Sequence, residues 1–288
     1  MQILRSVGTH DGSFHADEVT ACALLIIFDL VDEEKIIRSR NPKELEKCEY
    51  VCDVGGIYSL KDKRFDHHQL SYVGPWSSAG MVLHYLQQIG ALDSEEYHFL
   101  NNTLIRGVDD QDNGRFFSAE GFCSFSDIIK IYNPKEEENS KKDFFIALHF
   151  TMDFLRRLRE KFRYDRACRE IVRDAMEKER LCLFFDHPLA WQENFFFLGG
   201  ASHPAAFVCF PSCDQWILRG IPPNLDRRME VRIPFPKSWA GLLGEELSKV
   251  SQIPGAVFCH KGLFLSVWTN QESCRRALQV TLEKRGIV

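Results

Sequence analysis

The sequence predicts an α/β protein in two parts: a parallel-sheet domain first, then a smaller α+β domain at the C-terminal end. Three observations carry this. As far as Gly90, short apolar runs alternate with helix-period segments, the pattern of strand–helix units in a parallel sheet. A polar, turn-rich stretch from Asn133 to Lys142 then interrupts the chain. Beyond Leu181, aromatic and β-branched runs (FFFLGG, AAFVCF, WILRGI, AVFCH, LFLSVW) are broken by Gly and Pro. The expected division is residues 1–140, a connecting helical segment 141–180, and a C-terminal domain 181–288.

Taken in order, Ile3 to Val7 reads as a strand running into the polar stretch GTHDGSFHADE. Ala16 to Leu30 reads as a buried helix. Lys35 to Arg38 and Tyr50 to Val54 read as strands, with NPKELEK between them as a short helix or turn. Arg64 to Asp66 is a further strand candidate, and Ser77 to Ile89 a helix stopped by Gly90. Asp143 to Arg180 predicts one long helix or two stacked ones, and Gln271 to Lys284 a closing helix. In a parallel sheet of this kind the ligand crevice lies at the C-terminal ends of the strands.

Composition narrows the function classes. With 288 residues, 44% hydrophobic and 27% charged, the chain is long enough for real cores and has the balance of a soluble globular protein. A formal net charge of −5 argues against coating nucleic acid by bulk positive charge, though not against a local groove. The ten cysteines include no C-x-x-C pair, and the nearest spacings, Cys48/Cys52 and Cys209/Cys213, lack a His pair of zinc-finger type. They read as small buried apolar residues of a reducing compartment. The N-terminus lacks a basic-then-apolar signal arrangement, and the apolar run Ala21 to Leu30 is too short to span a bilayer. An intracellular, cytoplasmic protein without a membrane partner is expected.

Four segments of the first half place His and Asp where divalent metals can use them. They are His10-Asp11-Gly12-Ser13-Phe14-His15-Ala16-Asp17 after the first strand, Cys52-Asp53-Val54-Gly55-Gly56 at a strand end, Arg64-Phe65-Asp66-His67-His68-Gln69, and Gly107-Val108-Asp109-Asp110-Gln111-Asp112-Asn113-Gly114 at a helix end. Imidazole and carboxylate ligands suit Mn²⁺, Fe²⁺, Co²⁺ or Mg²⁺, and soft thiolates are absent from the motifs. Two such ions about 3.5–4 Å apart can clamp the attacking and leaving oxygens of a phosphoryl displacement. Each segment alone is weak, since a lone D-x-x-D is usually a solvated turn; their joint presence is what points to a metal site.

RFDHHQ resembles the signature triplet of the DHH phosphoesterases. The wider set GTHDGSFHADEV, DVGG, RFDHHQ, SSAG and VDxxDNG, with RIPFPKSWAGL and IPGAVFCH later, is similar to the melanocyte-proliferating-gene (Myg) exonuclease family within that superfamily. The resemblance runs from about residue 5 to about residue 285. It implies metal ligation by His10, His15, Asp17, Asp53, His67 and Asp109, with Asp112 as the alternative to Asp109. Most DHH enzymes carry Asp where this chain has His15. The resemblance also implies that Asp53 bridges two ions, that His68 meets the substrate phosphate, and that Asp66 orients the His pair. The implied cofactor is two divalent cations, manganese foremost, with Mg²⁺, Co²⁺ or Fe²⁺ admitted.

The second half departs from the family pattern. A Gly-Gly pair is expected after the strand that holds the C-terminal His; this chain keeps His260 but has Ser266 and Val267 where the glycines belong. A β-branched Val does not readily take positive φ, which puts a glycine-type anion nest in question. Trp268 is open to two readings, base stacking or core packing, and His260 to substrate contact or a structural role. Arg156, Arg157, Arg159, Lys161, Arg163, Arg166 and Arg169 give the connecting helix a basic excess that could track a phosphate backbone, with Arg156 and Arg159 as candidate contacts.

The resulting expectation is a metal-dependent phosphodiester hydrolase with its active site between the two domains, trimming single-stranded RNA from its 3′ end. The alternatives are a short-oligonucleotide or cyclic-dinucleotide phosphodiesterase, a pyrophosphatase, and a metal-stabilised regulatory protein without turnover.

Overall fold

A computed structural model of the chain describes residues 2–117, 119–133, 140–178 and 180–287. The chain divides into two compact units, Met1–Phe162 and Arg163–Val288.

Unit 1 is built on a five-stranded sheet. Its strands are β1 (Ile3–Thr9), β2 (Ile36–Arg38), β3 (Cys48–Cys52), β4 (Tyr58–Ser59) and β5 (Arg64–Phe65), in spatial order β2-β1-β3-β5-β4. All pairings are parallel except the last, where β4 runs antiparallel to β5. The helices are α1 (Ala16–Ile27), the short α2 (Pro42–Leu45) and α3 (Ser78–Gln88), then α4 (Ser94–Leu100) continuing through a π-helical turn at Asn101–Ile105 into α5 (Arg106–Asp112). They are followed by α6 (Phe125–Ile131) and by the long α7 (Ser140–Ala167), inside which the division of units falls.

The local causes are visible in sequence. Asn41 caps α2, its side chain accepting from the Lys43 amide, and Pro42 takes the first helical position, where its missing N–H costs nothing. Every residue of α1 from Ala16 to Leu25 is buried, so this helix is core on all sides. Helix α3 stops where Gly90 takes φ +72. Phe14, Leu24, Leu25, Phe65, Met81, Leu83 and Phe144 are fully buried between sheet and helices. Each such side chain contributes about 1.5–3 kcal/mol of burial.

Unit 2 follows with α8 (Arg169–Lys178), β6 (Cys182–Phe184), α9 (Gln192–Phe197), β7 (Phe207–Ser212), β8 (Gln215–Gly220), α10 (Gly244–Ser251), β9 (Ala256–Cys259), β10 (Leu265–Trp268) and α11 (Gln271–Glu283). Its sheet runs β6-β7-β8-β10-β9, parallel at β6–β7 and antiparallel elsewhere. The molecule is therefore α/β in its first unit and α+β in its second, as the sequence predicts. The Asp143–Arg180 stretch forms two helices, α7 and α8, around Cys168. The boundary candidate within Asn133 to Lys142 falls largely on residues 134–139, outside the described residues. The FFFLGG run begins as the end of α9 rather than as a strand.

Two readings of the second half resolve here. Trp268 is fully buried, edge-on to Trp239 at 5.8 Å, and its indole N–H donates to Ser266 Oγ at 2.9 Å. Base stacking is excluded, because the ring has no exposed face. Ser266 and Val267 lie in a strand paired on both sides, Ser266 opposite Leu218 and Cys259, Val267 opposite Ile217 and Phe258. The ladder claims this backbone, so these residues form no anion nest.

Eight of the ten cysteines are buried, Cys123 and Cys213 being exposed, and all ten are free thiols. Among the described residues no helix is long and apolar enough to cross a membrane.

Candidate metal centre

Four chain segments meet at the C-terminal edge of the unit 1 sheet. The first leaves β1 at His10 and loops through Gly12, which takes φ +80, to His15 at the start of α1. This loop is pinned from both sides. Arg38 donates to the carbonyls of His10 (3.2 Å) and Gly12 (2.7 Å), and the Asn133 side chain holds Phe14 through its amide (2.8 Å) and carbonyl (2.6 Å). The His15 amide donates to Glu18 at 2.9 Å, which fixes the first turn of α1 and sets Asp17 inward, fully buried.

The second segment leaves β3 at Asp53, whose φ of +57 turns the chain sharply before Gly55 and Gly56, both at positive φ. Asp tolerates this left-handed conformation better than most side chains, and such strain concentrates at functional positions. The third carries Asp66, His67 and His68 out of β5. The fourth is the end of α5, with Asp109, Asp112 and Asn113.

The side chains converge. His10 Nε2 lies 3.1 Å from Glu18 Oε1 and 3.2 Å from Asp53 Oδ2. His67 Nε2 lies 3.0 Å from Asp112 Oδ2 and 3.4 Å from Asp53 Oδ1. His68 Nδ1 lies 2.8 Å from Asp66 Oδ1 and 3.4 Å from Asp53 Oδ1. Among the described residues, three groups of donor atoms close enough to share a cation result: His10, His15, Glu18 and Asp53; Asp53, His67 and His68; His15, Asp17 and Asp112. Asp53 and His15 each belong to two groups.

The crowding of these groups shifts their proton affinities. Burial would lower the His10 pKa, but hydrogen bonds to Asp53 and Glu18 outweigh it and push it up to about 10. His67 is likewise pushed up to about 10, against burial, by Asp112 and Asp53. Asp53 is held below the usual carboxylate range, the two imidazoles overcoming its burial. Asp17 is raised well above that range by burial first and then by the Asp53, Glu18 and Asp112 carboxylates. Both Asp17 oxygens are buried and make no hydrogen bond; Asp53 Oδ1 and His67 Nε2, buried as well, meet ion-pair neighbours instead. Buried polar atoms left unpaired are costly, and carboxylates this crowded call for positive charge. The oxygen and imidazole set fits hard to borderline divalent cations.

The structure brings together His10, His15, Asp17, Asp53 and His67 of the expected ligands. Asp109 is placed elsewhere. Its Oδ1 accepts from the Ser77 amide (2.9 Å), Ser77 Oγ (2.7 Å) and the Gly80 amide (3.0 Å), so it ties α5 to the start of α3. Burial pushes its pKa up to about 6 despite those bonds. Asp112, one helical turn on, reaches the cluster instead. Asp66 anchors His68, its Oδ1 taking the ring Nδ1 and the His68 amide (3.1 Å), its Oδ2 the Gly56 amide (2.6 Å).

Arg159 also departs from expectation. Its guanidinium is bound to Glu96 at 2.6 Å and stacked 3.9 Å over Phe28, leaving the side chain 14% exposed. A guanidinium spent on a buried carboxylate and an aromatic face is not free to track phosphates. Arg156 is exposed. His260 sits in the turn after β9, its Nδ1 accepting from the Gly262 amide at 2.9 Å and its ring 4.3 Å from Phe264.

Two residues at the centre escaped the sequence reading. Glu18 was signalled by its spacing from His15, three residues on as in a capping box. Asn113 donates from its amide nitrogen to the Asp109 carbonyl (2.9 Å), which turns its oxygen toward His67 Nδ1 (3.3 Å). Nδ1 must then carry the hydrogen, and Nε2 faces Asp53 and Asp112.

The MYG1 exonuclease family model, described as an uncharacterised protein family (UPF0160), matches residues 6–282. A MYG1 protein of Chlamydia pneumoniae is 80% identical over the full length of both chains. The MYG1 exonuclease of Homo sapiens is 29% identical over 97% of this chain and 86% of its own. Among solved structures, RecJ in complex with Mn²⁺ from Thermus thermophilus aligns at 12% identity and a TM-score of 0.30, over 97% of this chain and 52% of that one. The chain belongs to the MYG1 family.

Proposed function

We propose that the protein is a metal-dependent phosphodiester hydrolase of exonuclease type, acting on single-stranded RNA from its 3′ end. The observation that carries the reading is the convergence of buried His and Asp ligand atoms, with both Asp17 oxygens unpaired, among too many carboxylates. The exonuclease names of its mammalian relatives support the reaction class. In this reading His10, His15, Asp17, Asp53, His67 and Asp112 would hold two divalent cations, manganese foremost. Bound there, such cations would supply charge to the phosphate and lower the pKa of an attacking water. The chain's own part is to position and donate. Asp66 holds His68 by Nδ1, leaving Nε2 of this 64% exposed side chain for a substrate phosphate oxygen. Asn113 fixes the tautomer of His67.

End-labelled RNA of graded length, incubated with Mn²⁺, tests this. A ladder shortening from the 3′ end is expected. Asp53→Ala should lower both metal affinity and turnover, on the order of 100-fold or more, since outer partners alone are worth 10–100-fold. A protein that binds metal yet hydrolyses no phosphodiester overturns the reading. A second reading, a phosphodiesterase of short oligonucleotides or cyclic dinucleotides, is favoured by two observations. Arg159 is occupied by Glu96, and the Ser266–Val267 backbone is closed in the sheet. Cleavage confined to dinucleotides would select it.

A further inference from the structure

A cavity of about 650 Å³ opens beside the metal cluster, lined by His10, His15, Asp53 and His68 on one side. Gly12, Gly55 and Gly56 contribute its backbone surface. All three take positive φ, and a Cβ added to any of them would meet nothing within 4 Å. This lining is thus open where a ligand can approach main chain closely. Among the described residues lining the cavity, Arg40 supplies the one Lys or Arg side chain. The carboxylates there, Asp11, Asp53 and Asp66, would repel a phosphate.

Arg40 is one of two arginines at the end of β2, and the contrast between them is informative. Arg38 is consumed by structure: it binds the His10 and Gly12 carbonyls and Ser140, and lies 4.5 Å over Phe144. Arg40, two residues on, has among the described residues only Asp11 as an ion-pair partner, at 3.4 Å, and its side chain is 66% exposed. Its backbone, by contrast, is held. The Ser39 amide donates to the Thr9 carbonyl (2.8 Å), the Asn41 amide donates to Ser39 Oγ (3.0 Å), and Asn41 caps α2. A fixed main chain thus presents a loosely paired guanidinium at the C-terminal edge of a parallel sheet, where open α/β folds bind ligands.

We infer that Arg40 is a substrate-phosphate ligand, with its guanidinium and the glycine-lined wall forming a subsite for a nucleotide phosphate next to the metal centre. The inference deepens the proposed function and rests on it for the identity of the substrate. A guanidinium meets two phosphate oxygens at once, which lysine cannot do, so the subsite discriminates between the two cations. Asp11 releases Arg40 when phosphate arrives.

The test uses the full chain and three variants, Arg40→Ala, Arg40→Lys and Arg40→Glu. Calorimetry first measures Mn²⁺ affinity, which should stay within about two-fold of the parent, because Arg40 belongs to none of the ligand groups. Binding of adenosine 5′-monophosphate and of adenosine to the Mn²⁺-loaded protein is then compared. The monophosphate should weaken roughly ten-fold or more in Arg40→Ala, less in Arg40→Lys and most in Arg40→Glu, with adenosine unaffected. In hydrolysis of a short RNA the loss should appear in KM before kcat. If the parent cleaves RNA and Arg40→Ala keeps the parent KM and monophosphate affinity, the subsite is wrong and the nuclease reading survives. If the parent cleaves nothing yet binds the monophosphate in an Arg40-dependent way, the subsite survives and the nuclease reading falls. A parent that binds no monophosphate overturns the subsite.

Discussion

Asp109 and Asp112 stand one turn apart on α5, yet the structure gives them opposite tasks. Asp109 is 2% exposed and accepts three hydrogen bonds from Ser77 and Gly80, whereas Asp112 turns toward His67 and Asp17. Removing them should therefore fail in different ways. Asp112→Ala should lower Mn²⁺ affinity on the order of 10–100-fold. Asp109→Ala should instead destabilise the fold by about 1–3 kcal/mol for each buried donor left unpaired. Calorimetric titration with Mn²⁺ and urea denaturation of both variants separate the two effects, and the reverse pattern would return Asp109 to the ligand set. Sequence alone leaves the choice open because residues three apart share a helix face. What decides it is the space above Gly80, made by a different helix. Glu18 was hidden for a similar reason, since its partner His10 lies across a loop whose path only the fold defines.

At the scale of elements, Gly80 shows how one helix sets the position of another. Glycine inside α3 costs about 1 kcal/mol relative to alanine in helix propensity. Its presence is explained by Asp109, since a Cβ at Gly80 would overlap that carboxylate. Gly80→Ala should therefore lose stability despite the propensity gain, because overpacking costs about 1–3 kcal/mol. In the background Asp109→Ala the same substitution should become neutral or stabilising. Thermal or urea unfolding of the four proteins of this cycle measures the coupling, and strictly additive effects would reject it. Elements with a long periodic signal, α1, α3 and α11, were legible in sequence to within a few residues. Strand β4 was not, being two residues of an edge pairing that no periodicity marks. The C-terminal strands were legible as runs, but their order was not, because β10 sits between β8 and β9 through tertiary pairing. Ser266 and Val267 stood out as a departure in sequence. That they lie in a doubly paired strand, with Ser266 bonded to a buried Trp268, emerges only once the sheet is assembled.

For the molecule as a whole, protons and divalent cations compete for one cluster. Without metal, His10 and His67 hold their protons up to about pH 10, the neighbouring carboxylates overcoming the opposing effect of burial. Because these folded-state pKa values lie above the ordinary histidine value of about 6.5, the stability they contribute is complete below about pH 6.5. It is lost as pH rises through the folded values near 10. The chelator-treated protein should thus lose stability progressively between those limits. Metal ligation uses neutral imidazole and ionised carboxylate, so binding Mn²⁺ should expel the protons on His10 and His67, and any held by Asp17. Two consequences are measurable. Apparent Mn²⁺ affinity should rise with pH across the same window, and the Mn²⁺-loaded protein should keep its thermal midpoint where the chelated protein loses it. At a cation concentration 100 times the dissociation constant, linkage adds about 2.7 kcal/mol per site. Titrating Mn²⁺ at pH 7.5 in two buffers of different ionisation enthalpy counts the protons directly, with net release of at least one proton per chain expected. His67→Asn should lower that count. A binding heat that is the same in both buffers would mean that the imidazoles are neutral before metal arrives, and that the carboxylates around Asp53 are balanced in some other way.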